Sequence, residues 1–262
     1  MQTTMVIKLG GRVIEDEEHR HAVAADCVAL ANAGVQLVLV HGGGPQISAA
    51  MQAQGLEPRF VAGQRMTDAA TIAIARAVLV EDINAALVAA VVAAGGRACG
   101  GSGDDTRTLL AEIADPQLGL VGAVTAVDEA WIRNTWSDGA LPVVATLART
   151  VDGTTVNVNA DLAASAVAGA LCADQLWLVS DVPGVLRVID DPGSVIDVLT
   201  IDAIADLIVQ GAIHGGMLPK LDAAVRALRA GVSQVRLLDG GVPNALRHAW
   251  NTPAHFGTAV VQ

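Results

Sequence analysis

The chain has 262 residues, 52% of them hydrophobic and 16% charged, with a formal net charge of −11. That apolar content, with no low-complexity tract, excludes a disordered protein, and the acidic balance argues against a nucleic-acid or anionic-membrane surface. An anionic small substrate stays open, because a few local cations and backbone amides override the global sign.

Apolar runs at 5–9, 36–40, 141–146, 175–179 and 234–238 are nearly continuous, the pattern of strands covered on both faces. Helical patterning fills 16–32, 45–54, 68–80, 83–94, 159–171, 201–209 and 217–230. Gly34, Gly55 and Gly231 stand where a left-handed C-cap ends three of these helices. Turn residues and alternation at 119–127 and 149–158 predict β-hairpins. The alternation of strand and helix predicts an α/β fold, a three-layer αβα sandwich with a mainly parallel central sheet. Without a Pro- or Ser-rich linker, two lobes sharing one sheet are expected, an N-terminal lobe at 1–173 and a C-terminal lobe at 174–262. The apolar stretch 85–96 falls well short of the ~20 residues that span a bilayer, and no secretory signal is visible. Cys27, Cys99 and Cys172 have no paired metal spacing and are expected to be small buried thiols in a reducing cytoplasm.

Two of the sixteen Lys and Arg residues are lysine, Lys8 and Lys220. Lysine offers a compact point charge where arginine offers a planar fork, so positions that keep lysine in an arginine-rich chain are candidates for a special cation. Both lie in glycine-rich settings, MVIKLGG at 5–11 and GGMLPK at 215–220. The second strand runs into HGGGP at 41–45. In a parallel sheet, ligands lie beyond the carboxyl ends of the strands, where helix N-termini present free amides, and glycine lets the backbone approach an anion. The two clusters with the strand-end lysine therefore read as an oxyanion cradle. It is not a Walker loop, since G-x-x-x-x-G-K-[ST] is absent, and no G-x-G-x-x-G follows the first strand. Gly101-Ser-Gly103 does not complete a nucleophile elbow.

VNVNAD at 156–161 places two amides and a carboxylate at a helix start, where one of Asn157, Asn159 and Asp161 serves as the cap. Of the others, Asp161 could hold two neighbouring lysines and Asn157 could donate to a substrate carboxylate. GQRMTD at 63–68 puts Arg65 before a helix, as an exposed loop residue or a bidentate carboxylate clamp. SDVPGVL at 180–186 is a turn after a buried strand, or the border of a nucleotide. His19, His21, His214, His248 and His255 read as solvated or satisfied, and His41 as a residue that orients the triple glycine.

At these residues the chain resembles the amino acid kinase family. The resemblance runs in order through VIKLGG at 6–11, VHGGGPQ at 40–46, FVAGQRMTD at 60–68, VNVNAD at 156–161, LVSDVPGVL at 178–186, GGMLPK at 215–220 and FGTAV at 256–260. It implies transfer of the ATP γ-phosphoryl group to the side-chain carboxylate of N-acetyl-L-glutamate, giving an acyl phosphate for arginine biosynthesis. The implied catalytic residues are Lys8 and Lys220 on the transferring group, with Asp161 organising them. Gly11, Gly43 and Gly44 would supply amides to the substrate site, and Arg65 and Asn157 would grip the α-carboxylate. Gly10, Ser180, Asp181, Gly184, Val185, Leu186 and Gly215 would border the nucleotide. Mg²⁺ would be held by the phosphates and water, with no protein ligand.

The chain departs from many members at EDINAA (81–86) and GSGDDTR (101–107), where lysines are common, and Asp104 and Asp105 add negative charge near the expected substrate lobe. A kinase for another acylated acidic amino acid such as N-acetyl-aminoadipate, or a non-catalytic nucleotide-sensing homologue, are the competing readings. Arginine-inhibited members carry an extra N-terminal helix that interlaces dimers into a ring. Here four residues precede the expected first strand, and so a homodimer without that ring and without strong arginine feedback is expected.

Overall fold

The computed structural model describes residues 2–61, 63–188, 191–210, 213, 215–253 and 256–262; His214 and His255 lie outside the described residues. The chain begins with β1 (Thr4–Leu9), α1 (Gly11–Glu15), α2 (Glu17–Asn32), β2 (Gln36–His41) and α3 (Gly44–Ala53). Two short strands, β3 (Phe60–Val61) and β4 (Gln64–Arg65), precede α4 (Ala69–Arg76), which passes through a π-helical segment at Ala77–Asn84 into α5 (Ala85–Ala93). Next come β5 (Ala98–Ser102), β6 (Leu109–Ile113), β7 (Val121–Val127), α6 (Ala130–Ser137), β8 (Leu141–Ala145), β9 (Leu147–Arg149), β10 (Thr155–Val158) and α7 (Ala160–Ala170). The last part contains β11 (Gln175–Ser180), β12 (Val198–Thr200), α8 (Ile201–Val209), α9 (Met217–Arg229), β13 (Gln234–Asp239), α10 (Ala245–Asn251) and β14 (Thr258–Val261).

Among the described residues, eight strands form the central sheet in the order β12-β14-β13-β11-β1-β2-β8-β5. Every pairing in it is parallel except β13 with β14. The two faces of β1 show how the layers form. Met5, Ile7 and Leu9 pack into one core with α2, α3, α5 and α10, while Val6 packs into a second core with α7 and α9. Strand alternation puts Lys8 on the same face as Val6, so a charged side chain is sent toward the α7–α9 layer. That layer is lined by alanines (Ala163, Ala164, Ala168, Ala223, Ala224 and Ala227) that let both helices lie close to the sheet and to each other. The architecture is the αβα sandwich expected from the alternation of elements.

The regions that sequence patterning misread are instructive. The helices expected at 68–80 and 83–94 are one uninterrupted run, since no glycine or proline stands between them to break it. Residues 149–158 do form a hairpin, but 119–127 supply a single strand, β7, which pairs with β6 and β10. Together β10-β7-β6-β9 close into a small barrel, a closure that leaves no free edges. Strand β5 is glycine-rich and lacked a readable pattern; a Cβ on Gly100 would lie 2.0 Å from Asn84 Oδ1, so packing dictates the glycine. Only Cys27 of the three cysteines is buried; Cys99 and Cys172 are exposed, correcting the expectation of three buried thiols. No helix among the described residues is long and apolar enough to cross a membrane.

Candidate active site

Strands β11, β1, β2 and β8 are parallel neighbours, so Ser180, Leu9, His41 and Ala145 all end at one edge of the sheet. The N-termini of α7 and α9 come to the same edge, and each brings one charged residue in or next to its first turn. Asp161 is 7% exposed and Lys8 6%. Lys8 Nζ lies 2.8 Å from Asp161 Oδ1, and Lys220 Nζ 3.4 Å from Oδ2. Lys220 donates a hydrogen bond to Oδ2, and Lys8 forms the shorter ion pair with Oδ1. Burial alone would raise the Asp161 carboxyl; the ammonium of Lys8 and then that of Lys220 outweigh it and hold the group below the usual carboxylate range. Burial and the charge of Lys8 push the Lys220 ammonium down, opposed by Asp161 and Asp181. Two cations are thus held side by side by one shared carboxylate.

The glycine clusters flank this pair. Gly11 opens α1 and Gly44 opens α3, with Gly43 as an N-cap residue that has no capping side chain. Among the described residues no acceptor takes the N–H of Gly11, Gly43 or Gly44. Uncapped amides at a helix start favour an anion. A Cβ on Gly43 would sit 2.5 Å from Ile83 Cδ1, and one on Gly11 2.7 Å from Gln46 Oε1, so neither can carry a side chain without displacing its neighbour. Gly10 differs: its N–H donates to Val179 O at 2.9 Å. Its contribution is the close passage of β1's end past Ser180 rather than a free amide.

A cavity of about 160 Å³ opens beside the clusters, lined by Gly43, Gly44, Phe60, Arg65, Asn157 and Ala160 among others. Arg65 is 6% exposed, so the exposed-loop reading is wrong for it. Its Nη2 donates to Gly44 O at 2.7 Å and Ser48 Oγ at 2.8 Å, and the guanidinium lies 4.8 Å from the Phe60 ring centroid. Burial pushes this guanidinium down, and among the described residues no carboxylate lies within 4.0 Å of it. A buried cation without a counter-ion beside a cavity is suited to an anionic ligand. The helix cap in VNVNAD is Asn159, which accepts from the N–H groups of Asp161 and Leu162 at 2.9 and 3.1 Å. That leaves Asp161 to the lysines and Asn157 to the cavity.

On the other side of the lysines, Ser180 is buried and its Oγ has no partner among the described residues. Asp181 follows it and pairs with Arg12 at 2.5 Å. Gly184 adopts φ 145°, and a Cβ there would lie 2.6 Å from Thr258 Oγ1. The same hydroxyl accepts from the N–H of Val185 at 2.8 Å, tying the turn after β11 to β14. Leu186 bridges to Val195, and Gly215 is left-handed with φ 60° two residues before α9.

Residues 3–239 match the amino acid kinase family. The chain belongs to this family. Relatives at nearly full length include the acetylglutamate kinase of Sphingopyxis alaskensis, 43% identical over 98% of this chain and 88% of the relative. That of Koribacter versatilis is 41% identical over 98% of both. Among solved structures, N-acetylglutamate synthase from Neisseria gonorrhoeae, complexed with coenzyme A and N-acetyl-glutamate, superposes with a TM-score of 0.86. It is 25% identical, and the match covers 99% of this chain and 59% of that one. The family fold therefore also occurs within a synthase, and the reaction has to be argued from the site.

For an amino acid kinase chain, several residues at the site escaped sequence reading. Gln46 donates to Gly11 O at 2.7 Å and so couples the two glycine turns; its place in VHGGGPQ was the available signal. Asn84, brought in by the π-helical segment, donates to Val143 O at 2.9 Å and lies 3.0 Å from His41 Nε2. Its amide can only donate to the ring, so Nε2 accepts and the proton sits on Nδ1, 3.2 Å from Gly42 O. Burial lowers His41 to about 4, leaving a neutral ring that holds the start of the triple glycine. Asp104 and Asp105 do not face the cavity as bare charge. Arg76 pairs with both, at 2.7 Å to Asp104, and Thr155 donates to Asp104 at 2.8 Å.

Proposed function

We propose that the chain phosphorylates N-acetyl-L-glutamate at its side-chain carboxylate, using ATP, as the acetylglutamate kinases it is similar to are named for. One observation carries this reading: two lysines share one buried carboxylate at the strand ends, beside a cavity lined by a buried arginine that has no carboxylate partner among the described residues. In the reaction a carboxylate oxygen of the acceptor forms a bond to the γ-phosphorus, and the bond from that phosphorus to the β,γ-bridging oxygen breaks. The acceptor is already ionised at neutral pH, and the leaving group departs as an anion. No proton has to move, which fits a site where His41 is neutral and spent on orienting a loop.

In this proposal Lys8 and Lys220 stabilise charge on the transferring oxygens, and Asp161 fixes their separation. Gly11, Gly43 and Gly44 add amides, Arg65 and Asn157 hold the α-carboxylate, and Gly10, Ser180, Asp181, Gly184, Val185, Leu186 and Gly215 border the nucleotide. Catalysis by positioning and charge alone suits phosphoryl transfer. Asp161 is shared by the two lysines, so Mg²⁺ would be held by the nucleotide's phosphates and water, where it would neutralise part of their charge. The division of labour is acceptor binding by residues 1–173 and nucleotide binding mainly by 174–262, with the end of β1 bordering both, in a cytoplasmic homodimer formed through the N-terminal lobe; light scattering tests the dimer. A coupled assay for ADP release, comparing N-acetyl-L-glutamate, N-acetyl-aminoadipate, glutamate and aspartate, tests the function. Preference for either of the last two would overturn it, and preference for N-acetyl-aminoadipate would move the assignment to a neighbouring acceptor.

A further inference from the structure

Arg12 follows the Gly10-Gly11 turn directly, and its side chain reaches across the strand ends. Nη1 donates to Asp181 Oδ2 at 2.5 Å. Arg12 lies in α1, just after β1, and Asp181 is the residue after β11, the strand paired with β1. Asp181 is also within electrostatic reach of Lys220. The side chains are 72% and 43% exposed, and an ion pair that wet adds little to stability and exchanges readily.

The charges around it give Arg12 more weight than its exposure does. Lys8 and Lys220 are balanced by Asp161 and Asp181, so those four side chains cancel, and Arg12 is what leaves the cluster positive. In a chain of net charge −11, a polyphosphate entering a neutral cluster would gain little from it. A guanidinium also offers forked donors that match two phosphate oxygens at once. Beside the pair, the buried Ser180 hydroxyl has no partner among the described residues.

We propose that Arg12 is a phosphate-binding residue of the nucleotide site, held on Asp181 in the free protein and transferred to the terminal phosphates when the nucleotide binds. This rests on the reading of the strand ends around Asp181 as the nucleotide site, and it adds a cation that none of the sequence motifs contains. Asp181 is then the resting place of Arg12, and the exchange of one anionic partner for another leaves no cation unpaired.

The test is calorimetric titration of the full chain with AMP-PNP, ADP and AMP, without any acceptor, for wild type, Arg12→Ala and Arg12→Gln. The longer glutamine keeps the stem's packing and answers the same question if the alanine variant folds poorly. Both variants should bind AMP-PNP at least about tenfold more weakly, as expected for loss of a charge-assisted contact, while AMP changes by less than about twofold. The salt dependence of AMP-PNP binding should also become shallower. Unchanged AMP-PNP affinity would overturn the proposal, and so would an equal loss for all three nucleotides, which would mean that Arg12 only braces the turn at Asp181. A wild-type chain that binds AMP-PNP yet phosphorylates no acylated amino acid would remove the acceptor assignment and leave the Arg12 result standing. Wild-type protein that binds none of the three would overturn the nucleotide site and this proposal together.

Discussion

Lys8, on the central strand β1, and Asp161, at the start of α7, meet at 2.8 Å with both side chains almost wholly buried. Lys220 reaches the other oxygen of the same carboxylate at 3.4 Å. One acid therefore sets the distance between two cations, and neither cation is free to relax without leaving it. This geometry makes the identity of each cation, and not only its charge, consequential.

Replacing either lysine by arginine should keep the charge and misplace it. Lys8→Arg and Lys220→Arg are each expected to lose on the order of 10²-fold in kcat with a smaller change in KM, the typical loss for one preorganised donor to a transition state. Steady-state kinetics on folded protein checks this. Near-wild-type turnover in Lys8→Arg would mean that the site needs charge alone.

Asp161→Asn should expose the same coupling through stability. The folded Asp161 carboxyl is held below its unfolded value of 3.8, so its stabilisation is present above that pH and lost as pH falls through the folded value. The variant leaves two ammonium groups facing a neutral amide and should be less stable by about 3 kcal/mol near neutrality. Urea unfolding between pH 7 and pH 3 should show this deficit narrowing on acidification. A deficit that grows toward low pH would contradict the assigned direction.

Arg65 separates grip from chemistry. Arg65→Ala should raise KM for the acylated amino acid far more than KM for ATP, because it removes a contact to a carboxylate that does not react. Equal increases for both substrates would move Arg65 out of the acceptor site.

His41 should act as an acid-sensitive element of the fold. Its value falls from 6.5 unfolded to about 4 folded, so the unfolded state takes up a proton first and stability is lost as pH drops from 6.5 toward 4. The full span corresponds to about 3 kcal/mol. His41→Gln should therefore lose less of its urea midpoint between pH 7 and pH 4.5 than the wild type does. Parallel losses in the two proteins would show that other groups govern the acid response.

The sandwich was legible because strands covered on both faces and Ala-rich helices differ in composition as well as period. The five apolar runs became β1, β2, β8, β11 and β13. The candidate residues were legible for a different reason: lysine in an arginine-rich chain and glycine at strand ends are compositional anomalies that need no three-dimensional information to notice. What sequence patterning could not supply was the assignment of roles among adjacent polar residues. Within VNVNAD any of three side chains could have capped the helix, and only the path of β10 into α7 gave the cap to Asn159 and turned Asp161 toward the lysines.

The remaining features depend on contacts between segments far apart in the chain, which no local period encodes. Asn84 meets His41 because a π-helical segment rotates it inward over Gly100, and Arg76 pairs with Asp104 and Asp105 across the gap from α4 to the β5–β6 connection. Arg12 finds Asp181 because β1 and β11 are neighbours in the sheet. Residue type and local pattern decided the elements and the rare chemistry of this protein. Strand order, which brings distant ends of the chain to one edge, decided which charges face one another.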